Sequence, residues 1–251
     1  MRRAYTAPHG RGARHGILKP MSAIQLIGGE KGGVGKSTVA RILAQYLIDH
    51  AQPFQAFDAD KTHGALLRFY TQYTLPALLD DFHSFDRVME TAAAEPHKTV
   101  LVDLAAQSFA PLVRWMEESR VLETAGELQI KLVYWHVMDG GRDSVELLQL
   151  LLDRFEARLP LVLVLNQVRV EQFDLLERSG QRARAERLGA KVVVLQHLAD
   201  STMQKLDASN TSFWAAVNQS STASGTLGLL ERQRLTVWLK RAYEQIDLVD
   251  L

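Results

Sequence analysis

The chain has 251 residues, 47% of them apolar, and a formal net charge of zero. That is enough apolar material for a full α/β core and argues against wholesale disorder. The lack of cysteine excludes disulfides, thiolate metal sites and cysteine nucleophiles, and no apolar run approaches the roughly 18 residues of a membrane span.

The neutral total conceals an asymmetry. Residues 1–20 carry Arg2, Arg3, Arg11, Arg14 and Lys19 with no acid, which leaves 24 of the 29 basic residues to face 29 acidic ones over 21–251. The segment lacks the apolar stretch of a secretory signal and reads as a solvated basic arm ahead of a single domain over 21–251.

Ile24-Gln25-Leu26-Ile27 predicts a strand, and Val39 to Ile48 predicts a helix. Between them lies Gly28-Gly29-Glu30-Lys31-Gly32-Gly33-Val34-Gly35-Lys36-Ser37-Thr38. A strand feeding a glycine-rich turn that opens a helix is the context a phosphate-binding loop requires. The glycines let successive N–H groups curl inward toward an anion, and the helix N-terminus adds its partial positive charge. Gly32, Gly33, Val34, Gly35, Lys36, Ser37 and Thr38 are therefore the expected nucleotide-binding set, with Lys36 on the outer phosphates and the Ser37 hydroxyl on Mg²⁺.

Pro53 to Phe57 predicts a short buried strand ending at Asp58-Ala59-Asp60, two carboxylates placed for metal and water handling. Residues 65–95 mix helical and irregular patterns, with Phe69, Tyr70 and Tyr73 read as packing. Thr99 to Val102 predicts a strand ending in Asp103, a further magnesium-shell residue acting through water. A helix over about 109–122 follows, then a strand over 128–137 that ends near Asp139-Gly140-Gly141. His136 at its carboxyl end reads as structural.

Ser144 to Phe155 is an amphipathic helix. Leu161 to Leu165 is almost wholly apolar, as a central parallel strand should be, and ends in Asn166. Residues 171–190 predict a helix or helix pair bearing Arg178, Arg182, Arg184 and Arg187, followed by Lys191. They read as a solvated face, with a DNA phosphate-contacting patch as the sharper alternative. Val192 to Leu195 is the last strand. A closing helix near 226–246 leads to an end carrying Glu244, Asp247 and Asp250, acids that anionic lipid would repel. The succession of βα units predicts a three-layer α/β fold, a mainly parallel sheet with helices on both faces.

Lys31-Gly32-Gly33-Val34-Gly35-Lys36-Ser37 resembles, residue for residue, the deviant Walker A motif of the ParA/MinD class of P-loop ATPases. The resemblance implies a SIMIBI-class P-loop fold binding ATP and Mg²⁺. It also implies a homodimer in which Lys31 reaches across to the partner's nucleotide. It makes Asp58-Ala59-Asp60 the switch I Asp-x-Asp, with Asp58 in the magnesium shell beside Ser37 and Asp103, and Asp60 positioning the attacking water. Lys31, Lys36 and Asp60 are then the catalytic set. Lys61 to Gly64 becomes the switch segment and Leu104 to Gln107 switch II, where Ala105-Ala106 replace the glycine or proline of family members.

Asn166 would read the adenine edge, a strand-end cap being its other reading, and His197 lies where the family's chain wraps the base. Glu30 stands where the common pattern has glycine. The missing cysteines set the chain apart from the nitrogenase-reductase-like iron–sulfur relatives and from those with a cysteine zinc clasp. Residues 55–218 more loosely resemble plasmid mobilisation and conjugal-transfer ATPases of the MobD/TraL type. The expectation is a cytoplasmic, slow ATPase in plasmid partition or transfer, with non-specific DNA and an activator protein as partners and no membrane. The rivals are a metabolic ligase of the dethiobiotin or cobyrinate synthetase kind, which would not need Lys31, and a nucleotide-gated adaptor without useful hydrolysis.

Overall fold

A computed structural model describes residues 22–61, 64–167, 172–218 and 227–249. The basic arm at 1–20, Thr62 and His63 of the expected switch segment, and Asp250 lie outside those residues. Among the described residues seven strands form one parallel sheet: β1 (Ala23–Gly28), β2 (Phe54–Asp58), β3 (Thr74–Pro76), β4 (Thr99–Asp103), β5 (Lys131–Met138), β6 (Leu161–Asn166) and β7 (Lys191–Leu195). Their order is β3-β2-β4-β1-β5-β6-β7. The near-continuous apolar runs of β1, β4 and β6 suit central strands buried on both faces.

Helices cover both faces. On one side lie α1 (Lys36–Asp49), α2 (Ala65–Phe69), α9 (Asp200–Ala208), α10 (Phe213–Asn218) and α11 (Leu229–Ile246). On the other lie α3 (Phe82–Ala94), α4 (Phe109–Glu118), α5 (Val121–Glu127), α6 (Arg142–Phe155), α7 (Asp174–Ser179) and α8 (Gln181–Arg187). This is the three-layer parallel architecture expected from the sequence. After β1 the chain builds β2 and β3 to one side, returns through β4, and then builds β5 to β7 to the other. The carboxyl end of β1 therefore opens into the crevice of a topological switch point, where ligands of such sheets bind. Register brings Asp103 opposite both Ile27 and Asp58 at that end.

Three segments depart from the sequence expectation. The helix expected over 109–122 breaks after Glu118, because Arg120 turns into the left-handed region (φ 48°) and starts α5. The strand expected from 128 begins at Lys131, since Gln129 (φ 56°) ends α5 with a second such turn. Residues 65–95 hold α2, the short edge strand β3, and α3, whose Asp81 cap accepts from the Ser84 amide at 3.3 Å. The aromatic cluster there packs as expected: Phe69 and Tyr70 are buried and Tyr73 stacks on Phe54 at 5.0 Å.

Both sheet edges are managed. β3 ends on Pro76, which has no N–H to offer. At the other edge the Val194 amide donates to Gln245 Oε1 of α11 at 3.1 Å.

Candidate functional site

The loop between β1 and α1 takes the conformation its glycines permit. Gly33 (φ 82°) and Gly35 (φ 104°) are left-handed, where a side chain would be strained. A Cβ on Gly32 or Gly33 would meet open space, so this wall of the loop faces outward. A Cβ on Gly35 would lie 2.1 Å from Asn166 Nδ2, because that amide donates to the Val34 carbonyl at 2.7 Å. Beneath the loop the Tyr134 ring crosses Gly28 so closely that a Cβ there would sit 2.0 Å from the phenol oxygen.

Lys36 is buried at the start of α1, and its ammonium donates to the Lys31 carbonyl at 3.0 Å across the mouth of the loop. Burial lowers its pKa, and the charges of Asp103, Asp60 and Glu30 oppose that shift. One cation thus faces three carboxylates from three segments far apart in sequence. Lys31, Gly32 and Gly33 are exposed.

The two strand-end aspartates are treated differently by the fold. Asp58 Oδ1 accepts from the Asp60 amide at 3.0 Å and Oδ2 from the Leu67 amide at 2.9 Å. These bonds tie the start of α2 back to the tip of β2. Burial raises the Asp58 pKa, and the backbone donors pull it down. Asp103 is fully buried, and neither of its oxygens makes a hydrogen bond of proper geometry. Burial, with Asp58 adding to it, pushes its pKa up to about 8, while the nearby Ser37 hydroxyl and Lys36 draw it down. The hydroxyl is close enough to act on the carboxylate's charge without forming a well-aligned bond. Two buried, unpartnered carboxylate oxygens beside a serine hydroxyl form an oxygen-rich position of the kind Mg²⁺ takes.

The segment after β4 is fastened to the loop. The Leu104 amide donates to the Ile27 carbonyl at 2.9 Å and the Gln107 amide to the Glu30 carbonyl at 3.0 Å. The second bond is made with Gln107 in the left-handed region, φ 55°. The residue after Ala105-Ala106 therefore adopts the backbone that a glycine would supply more cheaply. Glu30 Oε2 is buried without a partner.

The fold therefore brings Lys36, Ser37, Asp58, Asp60 and Asp103 together at one end of the sheet, with Lys31 exposed on the loop. Asn166 adjoins the loop from β6, its amide engaged by Val34. His136 is fully buried: its Nε2–H donates to the Ser144 carbonyl at 2.8 Å, and burial lowers its pKa to about 4. It braces the start of α6 and is structural, as its strand-end position suggested. His197 is exposed. The arginines of α7 and α8 are largely paired on the surface: Arg178 with Asp174 at 4.0 Å, Arg182 with Glu177 and Glu186 at 2.6 and 3.2 Å, Arg184 with Asp153 at 2.5 Å. The solvated-face reading fits that pairing.

Sequence reasoning missed Arg41 and Gln45 of α1, both buried, and the anchoring of α2 by Asp58. The signal was present: Arg41 and Gln45 lie one helical turn apart within the otherwise apolar run 39–48.

The residues at this site fit a nucleotide with magnesium, by the outward-facing Gly32 and Gly33, the buried ammonium of Lys36 and the orphaned oxygens of Asp103. The chain is 26% identical over 228 residues to protein MobD of Acidithiobacillus ferrooxidans, covering 90% of this chain and 96% of that protein. It is 28% identical over 241 residues to protein TraL of Escherichia coli, covering 90% and 98%. Among solved structures it is similar to a nucleotide-binding protein in complex with ADP from Archaeoglobus fulgidus, with 14% identity, a TM-score of 0.46, and 75% and 86% of the two chains covered. Residues 26–211 match the CbiA family, described as the CobQ/CobB/MinD/ParA nucleotide binding domain. The match takes in the glycine loop, residues 58–64 and 103–107, Asn166 and the α7–α8 pair, and the chain belongs to the CobQ/CobB/MinD/ParA nucleotide-binding domain family.

Proposed function

We propose that this chain is a magnesium-dependent ATPase whose ATP-bound form is a homodimer closed over the nucleotides. One observation carries the reading: buried Asp103, with both oxygens unpartnered, lies in the field of Lys36 at the foot of the glycine loop. Bound magnesium and ATP would supply the transferable phosphoryl group and the cation that offsets its charge. Lys36, now on the Lys31 carbonyl, would neutralise the outer phosphates, and the backbone of Gly32 to Thr38 would cradle the anion. Ser37, Asp58 and Asp103 hold the metal shell, directly or through water. Asp60 orients the attacking water. Asn166 borders the loop and is assigned the adenine edge in addition to its bond to Val34.

Exposed Lys31 is assigned to the partner's nucleotide, where it would neutralise charge developing in transfer, as an arginine finger does. Residues 21–251 act in this reading as one domain. In this reading the bound nucleotide would serve as a switch, with the dimer and its contacts kept in the ATP-bound form and released after hydrolysis. The similarity to MobD and TraL over nine-tenths of the chain supports a place in mobilisation or conjugal transfer of DNA.

The test is the mass of the protein in solution with ATP and magnesium, together with phosphate release, for wild type, Lys31→Ala and Lys36→Ala. The wild type is expected to dimerise with ATP, Lys36→Ala to lose nucleotide, and Lys31→Ala to keep nucleotide while losing turnover. Normal dimers and wild-type turnover in both variants would sink the proposal. Phosphate release that needs a small-molecule substrate and a monomer would instead favour a ligase.

A further inference from the structure

Arg41 lies in the second turn of α1, and only 3% of its side chain is exposed. Its Nη1 donates to Asp207 Oδ1 of α9 at 2.8 Å. Its Nε and Nη2 are buried with no hydrogen-bond partner. Burying a guanidinium with two donors unmet is costly, and such a group in a folded protein asks for a reason.

The surroundings of Arg41 come from segments that the nucleotide site has no direct reason to join. The Phe69 ring of α2 lies over the guanidinium at 3.7 Å and the Phe213 ring of α10 at 4.9 Å. One turn along α1, Gln45 Oε1 accepts from the Tyr70 hydroxyl at 3.0 Å and from the Trp214 amide at 3.0 Å. The Tyr70 oxygen in turn accepts from the Phe213 amide at 3.4 Å. Helix α2 and the start of α10 are thus held together through two polar residues of α1.

At its other end α2 is fastened to the proposed metal site. The Leu67 amide in its first turn donates to Asp58 Oδ2. Were Asp58 to turn its Oδ2 to a metal shell, Leu67 would lose that acceptor, and the five-residue α2 has few hydrogen bonds of its own. A shift of α2 would carry Phe69 off Arg41 and open its two unmet donors to water. A second arrangement of that kind would be favoured by hydration of the guanidinium. A two-state element whose balance both ends bias is what coupling between sites requires.

We propose that Arg41 is a positioning residue that couples switch I to α9 and α10, so that occupancy of the nucleotide site is read out at 200–218. The inference rests on the nucleotide reading given above. Arginine suits the task because its planar group can stack on two rings while keeping a carboxylate, which lysine cannot.

Amide hydrogen exchange followed by mass spectrometry, with and without ADP and magnesium, tests it on the full chain. In the wild type, exchange is expected to change at 65–69 and also at 200–218, by at least about fivefold. Asp207→Asn removes the carboxylate from a half-exposed position, and Arg41→Met removes the cation; the first guards against failure of the second to fold. Both are expected to bind ADP within about threefold of wild type and to keep the response at 65–69, while that at 200–218 disappears. A persisting response at 200–218 in the variants overturns the coupling role. So does ADP binding by the wild type with 200–218 silent. No ADP binding by the wild type at all would instead remove the nucleotide reading on which the inference rests.

Discussion

Asn166 and Val34 stand 132 residues apart, and the amide of one donates to the carbonyl of the other at 2.7 Å. The end of β6 thereby fixes the crest of the glycine loop. Asn166→Asp replaces the donor with an acceptor and leaves a buried carbonyl facing a carboxylate. The expected cost is about 1–3 kcal/mol of stability, with weaker ADP binding. Thermal unfolding and calorimetric titration measure the two. An unchanged melting temperature would show that the bond contributes nothing.

Gly28 and Tyr134 are packed against each other, with 2.0 Å between a notional Gly28 Cβ and the phenol oxygen. Gly28→Ala is expected to destabilise the fold by roughly 1–3 kcal/mol through overpacking. Tyr134→Leu opens space on that face of β1, so the double variant should recover about 1 kcal/mol or more relative to the sum of the singles. Strict additivity in denaturant melts would contradict the packing described.

Gln107 reaches the Glu30 carbonyl from a left-handed backbone. Gln107→Gly is expected to be neutral within about 0.5 kcal/mol, relief of strain offsetting the greater freedom of the unfolded chain. Gln107→Val should cost about 1–2 kcal/mol, since a β-branched residue is poorly tolerated there. Equal stability of the two variants in urea unfolding would count against the strain.

His136 gives a pH signature. Its folded pKa near 4 lies below the usual 6.5, so between those values the unfolded chain binds the proton and the native one does not. Its contribution is complete above about pH 6.5 and is lost as pH falls toward 4, by an upper limit of about 3 kcal/mol. In His136→Gln, which can still donate to Ser144, the loss of stability between pH 6.5 and 4.5 should be shallower than in wild type. Parallel curves would refute the assignment.

The fold and the loop were legible because they rest on local pattern. An apolar strand, a glycine turn and a helix in Ile24 to Ile48 declare themselves by composition and spacing, and apolar β4 and β6 announce a parallel sheet. The breaks at Arg120 and Gln129 were hidden because each is one residue in an uncommon backbone state, without the glycine that usually marks it. Nor could the sequence show that Asp58 is occupied by amides while Asp103 is bare. That difference depends on where Leu67 falls after two turns of chain, not on either aspartate. Arg41 was concealed by its helix: a cation in an apolar run reads as solvent-facing until Phe69, Asp207 and Phe213 are seen to enclose it.

At the far side of the sheet, Gln245 occupies the Val194 amide of the last strand. A second copy brought up to that strand would find an amide already taken, and would have to dislodge a helix before adding its own strand. Pro76 offers no amide on the opposite border. Growth of the sheet from molecule to molecule, which ends in ribbons and fibres, is discouraged at both borders.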